Sequence, residues 1–287
     1  MKFGTVCAYW TKQWSNDDYT GFARKIKSIG FDVMELPAGD LLNMSDEKLA
    51  ELNALCKELG LTISSNIGPA RDKNISDSDP AIRRAGIEYL ENIIIQMNKV
   101  GSPLLIGAMY NCWPYHFEDL DKPAIWARAV ESMKELAAFA KDHGVTLCLE
   151  VLNRFETNLL NTCQEGLQFC KDVGYDNVKL LLDTFHMNIE EDSLPQAILD
   201  AGDYLGHMHV GEGNRRLPGQ GHLPWTEMGE ALRKIGYTGA VVMEPFLKDG
   251  GQVGADIKVW RDLSGNADMA GMDKQITESL EFLHRVF

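Results

Sequence analysis

Three carboxylates and one imidazole occupy matched places along this chain. Glu150 lies near the end of "VTLCLEVL", Asp183 ends "VKLLLD", His209 sits late in "LGHMHVG" and Glu244 late in "AVVMEPF". Each stands towards the end of an apolar, β-rich run. An oxygen-rich set with a single nitrogen suits Mn2+, Co2+ or Mg2+ better than a structural zinc, which favours cysteine and histidine. Taken singly, each acid also reads as a helix cap or salt-bridge partner. Asp183, three residues before His186, shows that alternative most plainly. Four such residues in register argue for a common site. His207 and His209 alternate on one face of their run. His209, nearer the end, is the better ligand, and His207 reads as a hydrogen-bonded core imidazole one layer deeper.

A second group lies just beyond these ends: Glu156 in "EVLNRFE", His186 in "DTFH" and Arg215 in "HVGEGNRR". Two accounts stay open. Arg154 and Glu156 form a surface pair and Arg215-Arg216 a solvated charge run, or Glu156, His186 and Arg215 bind a polar substrate held on the metal.

Something must bring these residues together. Eight β-rich runs recur, starting near Phe3, Phe31, Leu61, Pro103, Val145, Val178, Leu205 and Ala240. The gaps leave room for one helix each, as parallel βα units require. "DEKLAELNALCKEL" and "AVESMKELAAFAKDH" carry apolar residues at helical spacing. Ser45 reads as an N-cap, and Gly60 and Gly144 as helix stops. Without a linker or low-complexity tract, the pattern predicts an α/β fold. It is a single (β/α)8 TIM barrel over residues 1–287, with side chains at the C-terminal strand ends converging. A doubly wound sheet would carry a glycine-rich phosphate loop after its first strand, and "YWTKQW" is nothing like one. The longest connection, Lys248 to Asp273, comes after strand eight, and "KQITESLEFLHRVF" reads as the last helix.

The 287 residues are 45% hydrophobic and carry a net charge of -14, with a pI of about 4.9. The acidic surface disfavours nucleic acid and anionic membrane as partners. "MKFGTVCAYWTKQW" has no apolar leader segment, and no stretch approaches a membrane span. Six cysteines without a C-x-x-C pair, several in apolar runs, read as buried reduced thiols. The expectation is a cytoplasmic protein.

"CLEVLNRFE", "VKLLLDTFHMNIEED", "GHMHVGEGNRRLPGQG" and "VVMEPF" with "ADIKVWRDLS" after it resemble the ketose 3-epimerases, the D-tagatose and D-psicose (D-allulose) 3-epimerase group of xylose-isomerase-like barrels. The resemblance implies inversion of C3 in free ketoses, of the D-psicose/D-fructose or D-tagatose/D-sorbose type. It implies Mn2+ or Co2+ on Glu150, Asp183, His209 and Glu244, and proton exchange at C3 by Glu150 and Glu244. Glu156, His186 and Arg215 are implied to bind O1 to O3, in a homodimer or homotetramer. Trp113 and Phe246 remain as apolar walls. Departures fall at Val6 and Cys7, where relatives carry an aromatic pair, and at Cys112, where an aromatic is usual; both stretches belong to the side facing the distal part of the sugar.

The chemistry explains the need for two carboxylates. Removing a proton beside a ketone leaves an enediolate, which a cation stabilises, and inversion returns a proton to the opposite face. Strands five and eight stand roughly 135° apart around an eight-stranded barrel, so Glu150 and Glu244 can flank a substrate. Aldose–ketose or hydroxy-keto-acid isomerisation on a similar barrel is the main alternative. A nuclease conflicts with the negative charge, and a non-catalytic sugar-binding protein has no need of two flanking bases.

Overall fold

The computed structural model describes residues 1–115 and 118–287. Among them, eight parallel strands close into a barrel in chain order, β1 to β8. They are β1 (Lys2–Val6), β2 (Val33–Pro37), β3 (Thr62–Ile67), β4 (Leu104–Gly107), β5 (Thr146–Val151), β6 (Val178–Asp183), β7 (Leu205–Val210) and β8 (Ala240–Met243). Closure comes from β1 on β8, with Lys2 opposite Ala240 and Thr5 opposite Met243. The helices are α1 (Tyr19–Ile29), α2 (Asp46–Leu59), α3 (Pro80–Val100), α4 (Lys122–Asp142), α5 (Cys163–Val173), α6 (Thr184–Glu190), α7 (Leu194–Ala201), α8 (Trp225–Lys234), α9 (Gly251–Asp256) and α10 (Met269–Val286).

Local chemistry sets these limits. The Ser45 hydroxyl accepts the Lys48 amide at 3.4 Å to start α2, and Gly60 ends it in a left-handed conformation (φ 67°) that costs glycine little. Gly144, also left-handed at φ 68°, comes after the C-cap His143 of α4. Two expectations need correction. The gap after β6 holds α6 and α7 rather than one helix, because Ser193 caps a fresh start at Leu194 by accepting the Gln196 amide. The segment after β8 is not all loop: α9 lies inside it, and α10 begins at Met269, capped by Asp268.

Strand alternation separates two apolar regions. Outward residues such as Leu147, Leu149, Leu180 and Leu182 join the main core beneath the helices. Inward residues Ile106, Cys148 and Leu181 form a separate plug in the barrel, fully buried. Replacing a fully buried leucine such as Leu181 with alanine costs about 2–5 kcal/mol. Two residues beyond the plug, on the same faces, come Glu150 and Asp183. β7 reaches this arrangement through a register shift between Leu180 and Leu181 of β6. Gly206 fills the irregularity, where a Cβ would lie 2.7 Å from Cys148 Sγ. A bulge re-aims the side chains beyond it, and both His207 and His209 face inward. No helix among the described residues is long and apolar enough to cross a membrane.

Candidate active site

At the C-terminal mouth, ligand-type atoms of Glu150, Asp183, His209 and Glu244 all lie within 4.8 Å of one another. Glu244 sits one residue past β8 and the other three within the last two residues of their strands. His209 Nδ1 stands 3.6 Å from Glu150 Oε1 and 3.6 Å from Glu244 Oε1, and accepts or donates no hydrogen bond among the described residues. An orphaned, fully buried ring nitrogen facing carboxylates is what a divalent cation would satisfy, so the donor set fits one.

The electrostatics express the crowding of acids. Burial, reinforced by Glu150 and Asp183, raises the Glu244 carboxyl to about 8, against the opposing pull of His209 and Arg215. Burial works to lower His209, yet the carboxylates of Glu35, Glu244 and Glu150 outweigh it and hold the imidazole well above its usual range. Burial lowers His207.

Asp183 caps a helix and also faces the cluster. Its Oδ1 accepts the Phe185 amide at 2.9 Å, capping α6, while Oδ2 faces His186 Nε2 at 3.5 Å. The other three polar residues surround this centre. The Asn153 amide donates to His186 Nδ1 at 3.2 Å, so that nitrogen is the acceptor and Nε2 carries the proton. Glu156 accepts from Trp113 Nε1 at 2.9 Å and from Asn153 Nδ2 at 3.0 Å. Burial would raise its carboxyl, but His186, Arg215 and those donors hold it low. The surface pair Arg154–Glu156 is not made; Arg154 pairs with Glu190 instead, Nη2 to Oε2 2.7 Å.

Nor is Arg215 part of a solvated run. It is 5% exposed, its guanidinium 3.7 Å from the Phe185 ring centroid and 5.2 Å from that of Phe246. Its left-handed backbone (φ 66°) belongs to a tight turn in which its amide donates to Glu212 O and its carbonyl accepts the Phe246 amide. Buried Glu212 anchors that loop by accepting from Gly219 N and Trp225 Nε1, both at 2.8 Å.

Glu150, Glu156, His186, Arg215 and Glu244 line a cavity of about 280 Å3, close to the scale of a small-molecule site. Aromatic walls complete it: Trp14 meets Trp113 and Phe246 edge to face, at centroid distances of 5.7 and 5.4 Å. Val6 and Cys7 line it as well, whereas Cys112 is buried and does not.

Three further residues take part: Trp14, Asn153 and Glu35. Trp14 lies in a loop without a pattern and is held by α9, its Nε1 donating to Asp256 Oδ2 at 2.8 Å. Asn153 also lies in a loop. Glu35 does leave a signal: an acid in the middle of "DVMELP", at the centre of β2, where an apolar residue belongs. It is 1% exposed and touches both strand-seven histidines.

Comparison with known proteins agrees with this geometry. Residues 23–263 match the xylose isomerase-like TIM barrel family. The chain is 48% identical over 283 residues to a D-psicose 3-epimerase of Agrobacterium fabrum, covering 98% of each. It is 47% identical to a D-psicose 3-epimerase of Ruminiclostridium cellulolyticum, covering 98% of this chain and 96% of that protein. A crystal structure of D-psicose 3-epimerase with D-tagatose, from Clostridium cellulolyticum H10, superposes with a TM-score of 0.98 at 46% identity, over 100% of this chain and 99% of that one. The chain therefore belongs to the xylose isomerase-like TIM barrel family and, within it, to the ketose epimerases, a class of isomerases.

Proposed function

We propose that this protein inverts C3 of free ketoses, of the D-psicose/D-fructose or D-tagatose/D-sorbose type. Residues 1–287 act as one catalytic domain in this reading. Its strongest support is the convergence of Glu150, Asp183, His209 and Glu244 within 4.8 Å at the end of an apolar-walled cavity. These four would hold Mn2+ or Co2+, with Mg2+ a weaker match. When bound, such a cation supplies Lewis-acid stabilisation of negative charge on the substrate's oxygens.

The chain's own residues do the rest. Glu150 and Glu244 approach from β5 and from the end of β8, so one carboxylate takes the C3 proton and the other returns a proton to the opposite face. The carbon passes through an enediolate, and the two glutamates exchange roles in the reverse direction. His186 Nε2–H and the Arg215 guanidinium donate to substrate oxygens, and Glu156 accepts from a hydroxyl. Trp113 and Phe246 exclude water from the site and pack against the carbon chain. Six buried cysteines support a reducing, cytoplasmic setting. Exposed Trp260 (73%) and Phe155 (68%) support a homodimer or homotetramer.

The test is to incubate the protein with D-psicose, D-fructose and D-tagatose in the presence of Mn2+ and separate the products by chromatography. C3 epimers are expected. Aldoses as the main products would move the assignment to an isomerase, and binding without turnover would make it a sugar-binding protein.

A further inference from the structure

Glu35 is the one carboxylate in the barrel whose place the proposed reaction does not explain. It projects inward from β2 and reaches β7 across the lumen. Its Oε1 accepts from Asn66 Nδ2 at 3.3 Å and lies 2.9 Å from His209 Nε2, and its Oε2 accepts from Ser64 Oγ at 2.9 Å and pairs with His207 Nε2 at 3.1 Å. Three hydrogen bonds occupy three of the carboxylate's roughly four acceptor sites, and the side left open faces His209 Nε2. The His209 contact is bent, its N–H pointing off the line to the oxygen.

A carboxylate presented this way can only accept. When His209 gives up one proton to bind a cation, the proton it keeps is therefore the one on Nε2 beside Glu35, leaving Nδ1 as the nitrogen that faces Glu150 and Glu244. The same logic fixes His207, whose Nδ1 has no partner among the described residues. Burial leaves no water-facing route by which either ring could choose otherwise, both being 0% exposed.

We propose that Glu35 is a positioning residue: it locks the ring orientation and tautomer of His209 so that Nδ1 is the metal-binding atom, with Ser64, Asn66 and His207 holding Glu35 in place. This rests on His209 being a metal ligand, as proposed above. Groups of this kind, one shell behind a ligand, typically change metal affinity by about 10–100-fold when removed. In Glu35→Gln one oxygen becomes an NH2. One of the two imidazoles then faces a donor instead of an acceptor, and the carboxylate's hold on the ring is lost.

The experiment tracks 15N-histidine signals of the whole protein while Zn2+, a diamagnetic probe, is added. His209 is assigned by comparison with His209→Asn. Nδ1 is expected to shift on metal addition while Nε2 keeps its proton. In Glu35→Gln, Mn2+ affinity, read from the free-ion electron paramagnetic resonance signal, is expected to fall about 10–100-fold. That variant's metal-free circular dichroism should match the wild type. If it does not fold, the wild-type nitrogen assignment decides alone. A shift at Nε2 instead of Nδ1 overturns the inference, as does an unchanged affinity in a folded Glu35→Gln. A metal titration that moves neither nitrogen of His209 is a different outcome: it removes the metal reading on which this one stands.

Discussion

Arg215 lies against Glu244, Nη1 to Oε2 3.4 Å, and the same nitrogen is 3.5 Å from Asp183 Oδ2. One guanidinium thus faces two of the clustered carboxylates while its flat face rests on Phe185. An ammonium has neither the fork nor the face. Arg215→Lys is expected to lower kcat/KM roughly 10–100-fold, which corresponds to about 1.4–2.8 kcal/mol, with a raised KM. Steady-state kinetics check this, and an unchanged KM would remove Arg215 from the substrate-binding set.

Glu150 and Glu244 are expected to be needed separately. Glu150→Gln or Glu244→Gln should nearly abolish inversion at C3, and exchange with solvent deuterium should be lost for the epimer whose C3 hydrogen faces the replaced carboxylate, since an amide neither takes nor returns the proton. Nuclear magnetic resonance of the recovered sugar measures the exchange. Full exchange in both single variants contradicts the two-base scheme.

The raised Glu244 carboxyl has a consequence for stability. A folded-state value of about 8 against 4.5 means that this group favours folding below about pH 4.5, and that its contribution is lost as pH rises through 8. In the metal-free protein, Glu244→Gln is expected to raise Tm by a few degrees at pH 9, while the gap shrinks towards pH 5. Paired thermal melts at the two pH values decide it. A gap independent of pH would assign the effect to packing instead of charge.

Removing bound metal with a chelator is expected to abolish turnover and lower Tm. A ligand present at about a hundred times its Kd stabilises the native state by about 2.7 kcal/mol, enough to shift a melt by several degrees. Mn2+ or Co2+ should restore both properties. Undiminished turnover after rigorous metal removal excludes a metal-centred reaction.

Much of this site is legible in the sequence because a strand has period two. Once "VTLCLEVL" is a strand with Cys148 inside, Glu150 must also be inside, and likewise Leu181 and Asp183. The features that depend on distant partners stay hidden. The bulge opposite Leu180 and Leu181 arises from pairing between β6 and β7, and nothing in "LGHMHVG" alone marks Gly206 as its seat. Trp14 and Asn153 act from loops, where no periodicity assigns a direction. Glu35 is the instructive case. Its acid character within an apolar strand is visible, but its meaning requires knowing that β2 looks across the lumen at β7.

Asp183 divides its two oxygens between tasks of different kinds, Oδ1 for the first turn of α6 and Oδ2 for the barrel mouth. The carboxylate is a rigid lever. Anything that pulls on Oδ2 tilts Oδ1, and the turn it tilts contains His186. Occupancy of the mouth is therefore expected to steady the first turn of α6. Amide hydrogen exchange at Phe185 should slow when the mouth is filled, even by a ligand too small to touch that residue.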